Sequence, residues 1–322
     1  MFGRRQTLRA GVGLASLGIV ASRARAQMPA AGKRDWAAQV PLIRIGLLGG
    51  ENDSDRLGRY DTYAKLITET FGVPVRLFPA ADYAGVIQAF GAKQIELASM
   101  GSSSYAGAWM DTNGNVEPLV VAVEKDGSIS YRSVLVVRSD SGIADLAEMK
   151  GHSLAWADPN STSGYLIPRS ELKKAGIDPE PGKYFSRTGF GGGHEQAVVA
   201  VLQRQYDGAV TWASGVGDPA EGYTRGNLHE MVAKGMLKMA DLKILWTSSP
   251  ILNGPLTARK DTPDAFRADM TAFHMALPTA YPAVYVQIER GGGKGYQMVA
   301  HADFQVFIDL RKDEAANRRQ RG

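Results

Sequence analysis

The segment Asp158-Pro159-Asn160-Ser161-Thr162-Ser163-Gly164 places three hydroxyl groups between a predicted strand and a predicted helix. Residues 154–157 form the apolar strand, and the helix predicted over residues 166–175 ends at Gly176. Asn and Ser are favoured at helix N-termini, where unpaired N–H groups and the helix dipole attract negative charge. The pattern therefore indicates a site for a tetrahedral oxyanion. An ordinary helix cap with two solvated hydroxyls would give the same pattern.

Three further side chains are candidates for the same kind of site. His194 follows three glycines and begins a predicted helix, so its ring is placed either to donate to an anion or to cap that helix. Tyr83 and Tyr131 either present a phenol to a cleft or belong to the core, and Tyr83 shares a predicted helix face with Val86. The residues alone do not decide between these alternatives.

The motifs of common enzymes are incomplete in this chain. Residues 189–193 are Gly-rich but lack the full dinucleotide-binding pattern, and Ser170 with Lys173 lacks the partner motifs of penicillin-recognising enzymes. The acidic run 51–55 fails the calcium-loop pattern because Leu57 stands where an oxygen ligand belongs. The five histidines show no paired metal-ligand spacing, and the chain has no cysteine. We therefore expect no metal, no cofactor and no catalytic activity.

The first 26 residues have the features of an export signal. Arg4 and Arg5 precede an apolar run over residues 10–21, and Ala24-Arg25-Ala26 is a small-residue cleavage signal. The paired arginines resemble a twin-arginine signal, with an ordinary secretory signal as the alternative. Because a bacterial lipid anchor requires a cysteine, we expect a periplasmic protein without a membrane anchor.

The charge of the chain resides largely in this leader. Removing its five arginines from the net charge of +4 leaves −1. The only other basic run is the tail at residues 318–321, so nothing indicates binding to nucleic acid. We expect a monomer.

The elements that must position these residues alternate between strand and helix, which is typical of parallel sheets with helices on their faces. The alternation restarts after residue 150, and long predicted strands at about 131–138 and 242–249 lie between the two units. We predict an α/β fold of two lobes, joined by two crossing strands, with a cleft at the helix N-termini. Lobe 1 comprises residues 41–136 and 248–322, and lobe 2 comprises residues 137–247.

The chain resembles the periplasmic phosphonate-binding proteins of ATP-driven importers over roughly residues 43–260. The residues that carry the resemblance are Asp82-Tyr83-Ala84-Gly85, Asp126-Gly127-Ser128 with Tyr131, Ser133 and Val134, Asp158 to Gly164, and Gly193-His194-Glu195. The resemblance implies the type II periplasmic binding fold, in agreement with the two-lobe prediction. It also implies that six side chains hold the phosphonate oxygens: Tyr83, Tyr131, Ser161, Thr162, Ser163 and His194. Ser102 and Ser103, at another cleft-facing turn, are additional donors in this comparison.

The function implied is capture of a phosphonate, phosphite or phosphate-like oxyanion for the permease of an ABC importer. Two alternatives remain at this point: a periplasmic sensor that presents its ligand to a membrane histidine kinase, and an exported phosphoester hydrolase. Relatives that bind aminoethylphosphonate hold its ammonium group with two carboxylates. An ungapped comparison puts Ser214 and Pro255 at those places, so the resemblance predicts a ligand without an amino group. Asp218 or Glu221 would reach the cleft if the alignment shifts.

Overall fold

The structure is a computed structural model that describes residues 27–319, so the predicted export signal lies outside the described residues. Its strands are β1 (Ile43–Leu47), β2 (Val75–Pro79), β3 (Leu97–Ser99), β4 (Val116–Val123), β5 (Ser130–Arg138), β6 (Ser153–Trp156), β7 (Arg187–Phe190), β8 (Gly208–Ala213), β9 (Leu242–Thr247), β10 (Ile251–Leu252), β11 (Pro255–Arg259) and β12 (Gly295–Met298). Its α-helices are α1 (Asp53–Phe71), α2 (Tyr83–Gly91), α3 (Ser102–Asp111), α4 (Ile167–Lys174), α5 (His194–Leu202), α6 (Asn227–Ala233), α7 (Asp264–Ala280), α8 (Pro282–Ile288) and α9 (Gln305–Arg319). None of these helices combines the length and apolar character needed to span a membrane.

The first lobe is built on a mixed sheet with the strand order β12-β4-β11-β3-β1-β2. Strands β2, β1 and β3 are parallel, and β11 and β12 pair antiparallel with their neighbours. One apolar core fills the space between this sheet and α1, α7 and α8, with Phe71 and Phe273 at its centre. A second core, which includes Phe90 and Phe307, lies under α2, α3 and α9 on the opposite face. The residues after 260, beyond the stretch over which the sequence resemblance was described, therefore complete the first lobe.

The second lobe has a sheet with the order β10-β5-β8-β6-β7, and β9 also pairs with β5. Strands β7, β6 and β8 are parallel, and β9 and β10 run antiparallel to β5. Helices α5 and α6 cover one face and α4 lies on the other. Each sheet is thus parallel where strands alternate with helices and antiparallel where the chain enters or leaves the lobe.

The chain crosses between the lobes twice, at residues 124–129 and 253–254. The two long strands predicted to form the crossings, β5 and β9, instead pair with each other in the second sheet. The crossings are held together by Asn253, whose backbone N–H donates to Ile129 O at 2.8 Å and whose side chain donates to Glu124 Oε1 at 3.0 Å. The lobe boundaries given above stay a prediction.

Helix α1 begins and ends where its sequence requires. The Asn52 side chain accepts hydrogen bonds from the N–H groups of Ser54 and Asp55, and Gly72 ends the helix in the left-handed conformation. Its buried face contains Tyr63, Ile67 and Phe71. The same face continues toward the N-terminus with two buried arginines, Arg56 and Arg59. These two cations bring charge to the inner side of the first lobe.

Candidate functional site

A cavity of about 200 Å³ lies between the lobes and extends into the first lobe. Six of the eight predicted site residues line it: Tyr83, Tyr131, Ser161, Thr162, Ser163 and His194. Ser102 and Ser103 do not. The lobes are close together around this cavity, because the Ser103 N–H from the first lobe donates to Thr162 Oγ1 of the second at 2.8 Å.

The Ser-Thr-Ser segment forms a helix start of unusual geometry. Ser161 is the N-cap, and its Oγ accepts the N–H of Gly164 at 2.9 Å. The first turn, Thr162–Leu166, is a π-helix that continues into α4. Such turns are rare and often lie at functional sites. The three hydroxyl-bearing residues are almost completely buried, with 1–2% of their surface exposed, so a ligand here would be shielded from water.

His194 belongs to a chain of hydrogen bonds that begins in the second lobe. Asn227 Nδ2 donates to Thr211 Oγ1 at 2.9 Å, and Thr211 Oγ1 lies 3.4 Å from His194 Nδ1. His194 Nε2 lies 3.1 Å from Ser161 Oγ. Burial lowers the pKa of His194 to about 3, and the charge of Arg290 acts in the same direction, so the ring is neutral.

The first bond of this chain has a fixed direction, and the following arrangement of the other protons is compatible with it. Because Asn227 donates to Thr211, the hydroxyl proton of Thr211 is free to point at His194 Nδ1. The neutral ring then carries its proton on Nε2 and donates to Ser161 Oγ. That assignment leaves the hydroxyl proton of Ser161 available to an acceptor in the cavity.

Both tyrosines line the cavity together with this segment. Burial raises the pKa of Tyr131, although the hydroxyls of Ser163 and Thr162 act in the opposite direction. Burial also raises the pKa of Tyr83, and the negative charge of Asp158 adds to the effect. Both phenols therefore stay protonated at neutral pH and are able to donate to an anion.

The two serines of α3 have other partners. Ser102 Oγ donates to Leu252 O at 2.8 Å, and Ser103 Oγ accepts from Arg311 at 3.2 Å. These two hydrogen bonds hold α3 against the second sheet and against α9. Gly101, immediately before them, is the residue of this turn that reaches the cavity.

Charged residues that no motif indicated also line the cavity: Glu51, Arg56, Arg59, Arg225, Glu289 and Arg290. Glu51 forms ion pairs with Arg59 and, at 2.7 Å, with Arg290. Burial alone would raise the pKa of Glu51, but these two arginines hold it below its ordinary value. Arg225 Nη1 lies 3.2 Å from Glu289 Oε2. Only Arg56 and Arg59 left a signal in the sequence, because they extend the buried face of α1 toward its N-terminus.

The structure places Ser214 and Pro255 away from the cavity. Ser214 Oγ is 3.2 Å from both Val216 O and Thr224 Oγ1, and Pro255 pairs with Val121 inside the first sheet. Neither lines the cavity, and Asp218 and Glu221 do not line it either. The cavity carboxylates are those of Glu51 and Glu289, which lie far from the predicted positions in the sequence.

No group of three or more His, Cys, Asp or Glu side chains is arranged to hold a metal ion within the part of the chain that the structure describes. The groups that converge at the Ser-Thr-Ser end are neutral hydrogen-bond donors: hydroxyls, an imidazole N–H and helix N–H groups. Such a set binds an oxyanion through directed hydrogen bonds rather than through a full positive charge.

Comparison with known proteins agrees with this chemistry. Residues 45–313 match the family described as the periplasmic substrate-binding protein of phosphonate ABC transporters. The chain is 30% identical over 242 residues to the phosphonates-binding periplasmic protein of Escherichia coli, a match that covers 74% of this chain and 66% of that protein. It is 28% identical over 223 residues to the phosphate-import protein PhnD of Mycolicibacterium smegmatis, covering 67% and 65%. The matched part is thus just under two thirds of each relative's length.

The fold has a solved counterpart. The structure of a binding-protein component of a phosphonate ABC transporter from Pseudomonas aeruginosa superimposes with a TM-score of 0.71 at 24% identity, covering 84% of this chain and 85% of that one. This likeness establishes the two-lobed fold. Since the family match spans most of the chain, the protein belongs to the family of periplasmic substrate-binding proteins of phosphonate ABC transporters.

Proposed function

We propose that this protein captures a phosphonate, phosphite or phosphate-like oxyanion in the cavity between its lobes and delivers it to the permease of an ABC importer. The observation that carries the proposal is the convergence of Ser161, Thr162, Ser163 and His194 at one helix start inside a cavity closed by both lobes. Tyr83 and Tyr131 complete the donor set. The family description favours transport over the sensor role.

The donors are sufficient for useful affinity. A hydrogen bond to an ionised acceptor contributes about 1.5–3 kcal/mol. Four or five such bonds, after the cost of association, support binding in the micromolar range or tighter. We also propose that the second lobe moves as a unit against the first when the ligand enters and leaves, with the crossings at residues 124–129 and 253–254 as the connections.

The pairing of Ser161 with His194 resembles that of a nucleophile and its base, but two features oppose catalysis. The pKa of His194, about 3, makes it a poor base at neutral pH. Where Thr211 donates to Nδ1, the ring proton is on Nε2, the atom that would have to accept a proton from Ser161. The geometry therefore supports binding of an intact ligand rather than hydrolysis of a phosphoester.

Titration calorimetry tests the proposal with residues 27–322 and four anions: phosphite, phosphate, methylphosphonate and sulfate. We expect binding of at least one phosphorus oxyanion and no turnover of 4-nitrophenyl phosphate. Ser163→Ala should weaken that binding at least tenfold. Absence of binding by all three phosphorus anions, or hydrolysis of the phosphoester, would overturn the proposal.

A further inference from the structure

The cavity does not end at the oxyanion donors but continues into the first lobe, between the sheet and helices α1, α7 and α8. Six residues mark the walls of this part, which we name the lobe 1 chamber: Ile45, Tyr60, Tyr63, Val120, Leu256 and Tyr296. Three of them are aliphatic and belong to the sheet, whereas the other three present tyrosine rings. The chamber has no counterpart in the second lobe among the cavity-lining residues.

The volume of the cavity exceeds what an inorganic oxyanion requires. One water-sized probe occupies about 10–15 Å³. A cavity of about 200 Å³ therefore holds on the order of ten water-sized groups. A phosphite or phosphate ion at the Ser161–Ser163 segment would leave the lobe 1 chamber unused, so the space suits an additional organic group.

The charges of the cavity disfavour a positively charged organic group. Glu51 is paired with Arg59 and Arg290, and Glu289 accepts hydrogen bonds from Arg225 and, at 2.7 Å, from the Tyr296 hydroxyl. Both cavity-lining carboxylates among the described residues are therefore already occupied. An ammonium group buried beside them would lack a partner of its own, which is heavily penalised.

The innermost polar groups of the chamber are also satisfied. The Tyr63 hydroxyl is 2.9 Å from His274 Nε2, and His274 Nδ1 is 2.7 Å from Met270 O. Since a backbone carbonyl only accepts, His274 donates from Nδ1 and accepts from Tyr63. Burial lowers the pKa of His274 to about 4, so this ring adds no charge at neutral pH.

The tyrosine rings indicate the shape of the group. Tyr60 and Tyr63 meet edge to face, with centroids 5.8 Å apart at 81°, and Tyr285 and Tyr296 do so at 5.3 Å and 77°. Edge-to-face and offset contacts are the arrangements that aromatic rings prefer. A further ring in the chamber would add contacts of the same kind between the tyrosines and the aliphatic wall of the sheet.

Resting on the function proposed above, we infer that the ligand class is a phosphonate with an uncharged, ring-sized substituent. Its phosphonate group lies at Ser161, Thr162 and Ser163, and its ring occupies the lobe 1 chamber. Benzylphosphonate is a suitable probe. A cationic substituent such as aminoethyl is disfavoured.

Calorimetry with methylphosphonate, benzylphosphonate and 2-aminoethylphosphonate provides the first test. We expect benzylphosphonate to bind at least tenfold more tightly than methylphosphonate, and the amino compound to bind more weakly than either. Methylphosphonate binding as tightly as benzylphosphonate would overturn the inference while leaving the proposed function standing. Absence of binding by all three would overturn the proposed function and the inference with it.

Two variants fill the chamber without touching the oxyanion donors. Val120→Phe and Ala122→Leu both add side-chain volume on β4, and both residues line the cavity. We expect at least one of them to lower benzylphosphonate affinity more than tenfold and to change methylphosphonate affinity less than twofold. Retained methylphosphonate binding shows that the variant has folded.

Val286→Phe is the matched control, because Val286 is 47% exposed on α8 and lies outside the cavity. It should leave both affinities unchanged. Equal losses for the two ligands in both chamber variants, or no loss for either ligand, would overturn the placement of the ring.

Discussion

Gly50 and Gly193 meet across the cleft: a Cβ atom on Gly193 would lie 2.1 Å from Gly50 Cα. Gly50 follows β1 in the first lobe, and Gly193 is the N-cap of α5 in the second. The two lobes thus touch backbone to backbone, directly beside His194. No side chain larger than hydrogen fits at Gly193 in this closed arrangement.

The first prediction concerns this contact. Gly193→Ala should prevent full closure and weaken binding of methylphosphonate about tenfold or more, equivalent to about 1.4 kcal/mol. Gly192→Ala is the control, because its φ of +91° carries backbone strain but a Cβ there meets nothing within 4 Å. Calorimetry and small-angle scattering measure the two effects. Equal affinities for the two variants would show that the contact does not limit closure.

The second prediction compares two hydroxyl groups, those of Thr162 and Ser102, which the sequence resemblance assigns to one binding site. Thr162→Val keeps the shape of the side chain but removes both the acceptor for the Ser103 N–H and a donor to the ligand. We expect a loss of about 1.5–3 kcal/mol in binding free energy. Ser102→Ala should change ligand affinity little, because Ser102 Oγ faces Leu252 O outside the cavity. Similar losses in the two variants would contradict the assignment.

The fold could be predicted because local signals and global architecture agree. Alternating strands and helices predicted two α/β lobes, and the structure has two such lobes, each built on its own sheet. The crossings could not be located in this way. Their position depends on which sheet β5 and β9 pair with, and hydrophobic pattern alone does not specify a strand's partner.

The site residues also fall into two groups, those with a local sequence signal and those without one. The Ser161–Ser163 segment was found because a helix start with hydroxyls is a local pattern with a physical meaning. Glu51, Glu289 and Arg290 were missed because their proximity arises only when α1 and α8 pack on one sheet. Each of these charged residues looks like a solvated surface residue in the sequence. Tertiary packing alone turns them into the wall of a cavity.

The third prediction concerns pH and stability without ligand. The pKa values of His194 and His274 fall to about 3 and about 4 on burial, below the unfolded value of about 6.5. The unfolded chain therefore binds more protons, so stability falls as the pH drops below 6.5 and continues to fall toward these lower values. Between pH 7 and pH 5 each histidine should cost about 2 kcal/mol of unfolding free energy. Urea unfolding at several pH values measures this dependence. If the free energy of unfolding fell equally with pH in the wild type and in the double variant His194→Gln/His274→Gln, the prediction would be contradicted.

The fourth prediction concerns ion pairs that join the lobes. Glu230 on α6 lies 3.1 Å from Arg59 and 3.2 Å from Arg290, both in the first lobe. Glu230→Gln should destabilise the closed state by about 1 kcal/mol and weaken ligand binding about fivefold. The control is Asp61→Asn, which breaks an exposed pair with Lys65 inside α1 and should leave affinity unchanged. Binding by Glu230→Gln at wild-type affinity would exclude a role for these pairs in closure.

The last prediction uses Arg290 to alter selectivity. Arg290 binds Glu51 at 2.7 Å, and its charge is close enough to His194 to contribute to the lowered pKa of that ring. Arg290→Met removes one positive charge from the cavity and leaves Glu51 with Arg59 as its remaining arginine partner. The cavity becomes less positive, which disfavours a dianionic phosphonate, and Glu51, with one cation fewer beside it, attracts an ammonium group more strongly. We expect methylphosphonate affinity to fall and the affinity ratio of 2-aminoethylphosphonate to methylphosphonate to rise about tenfold, or about 1.4 kcal/mol. Calorimetry on the wild type and the variant measures this ratio, and an unchanged ratio would mean that the Glu51 carboxylate does not govern the choice of substituent.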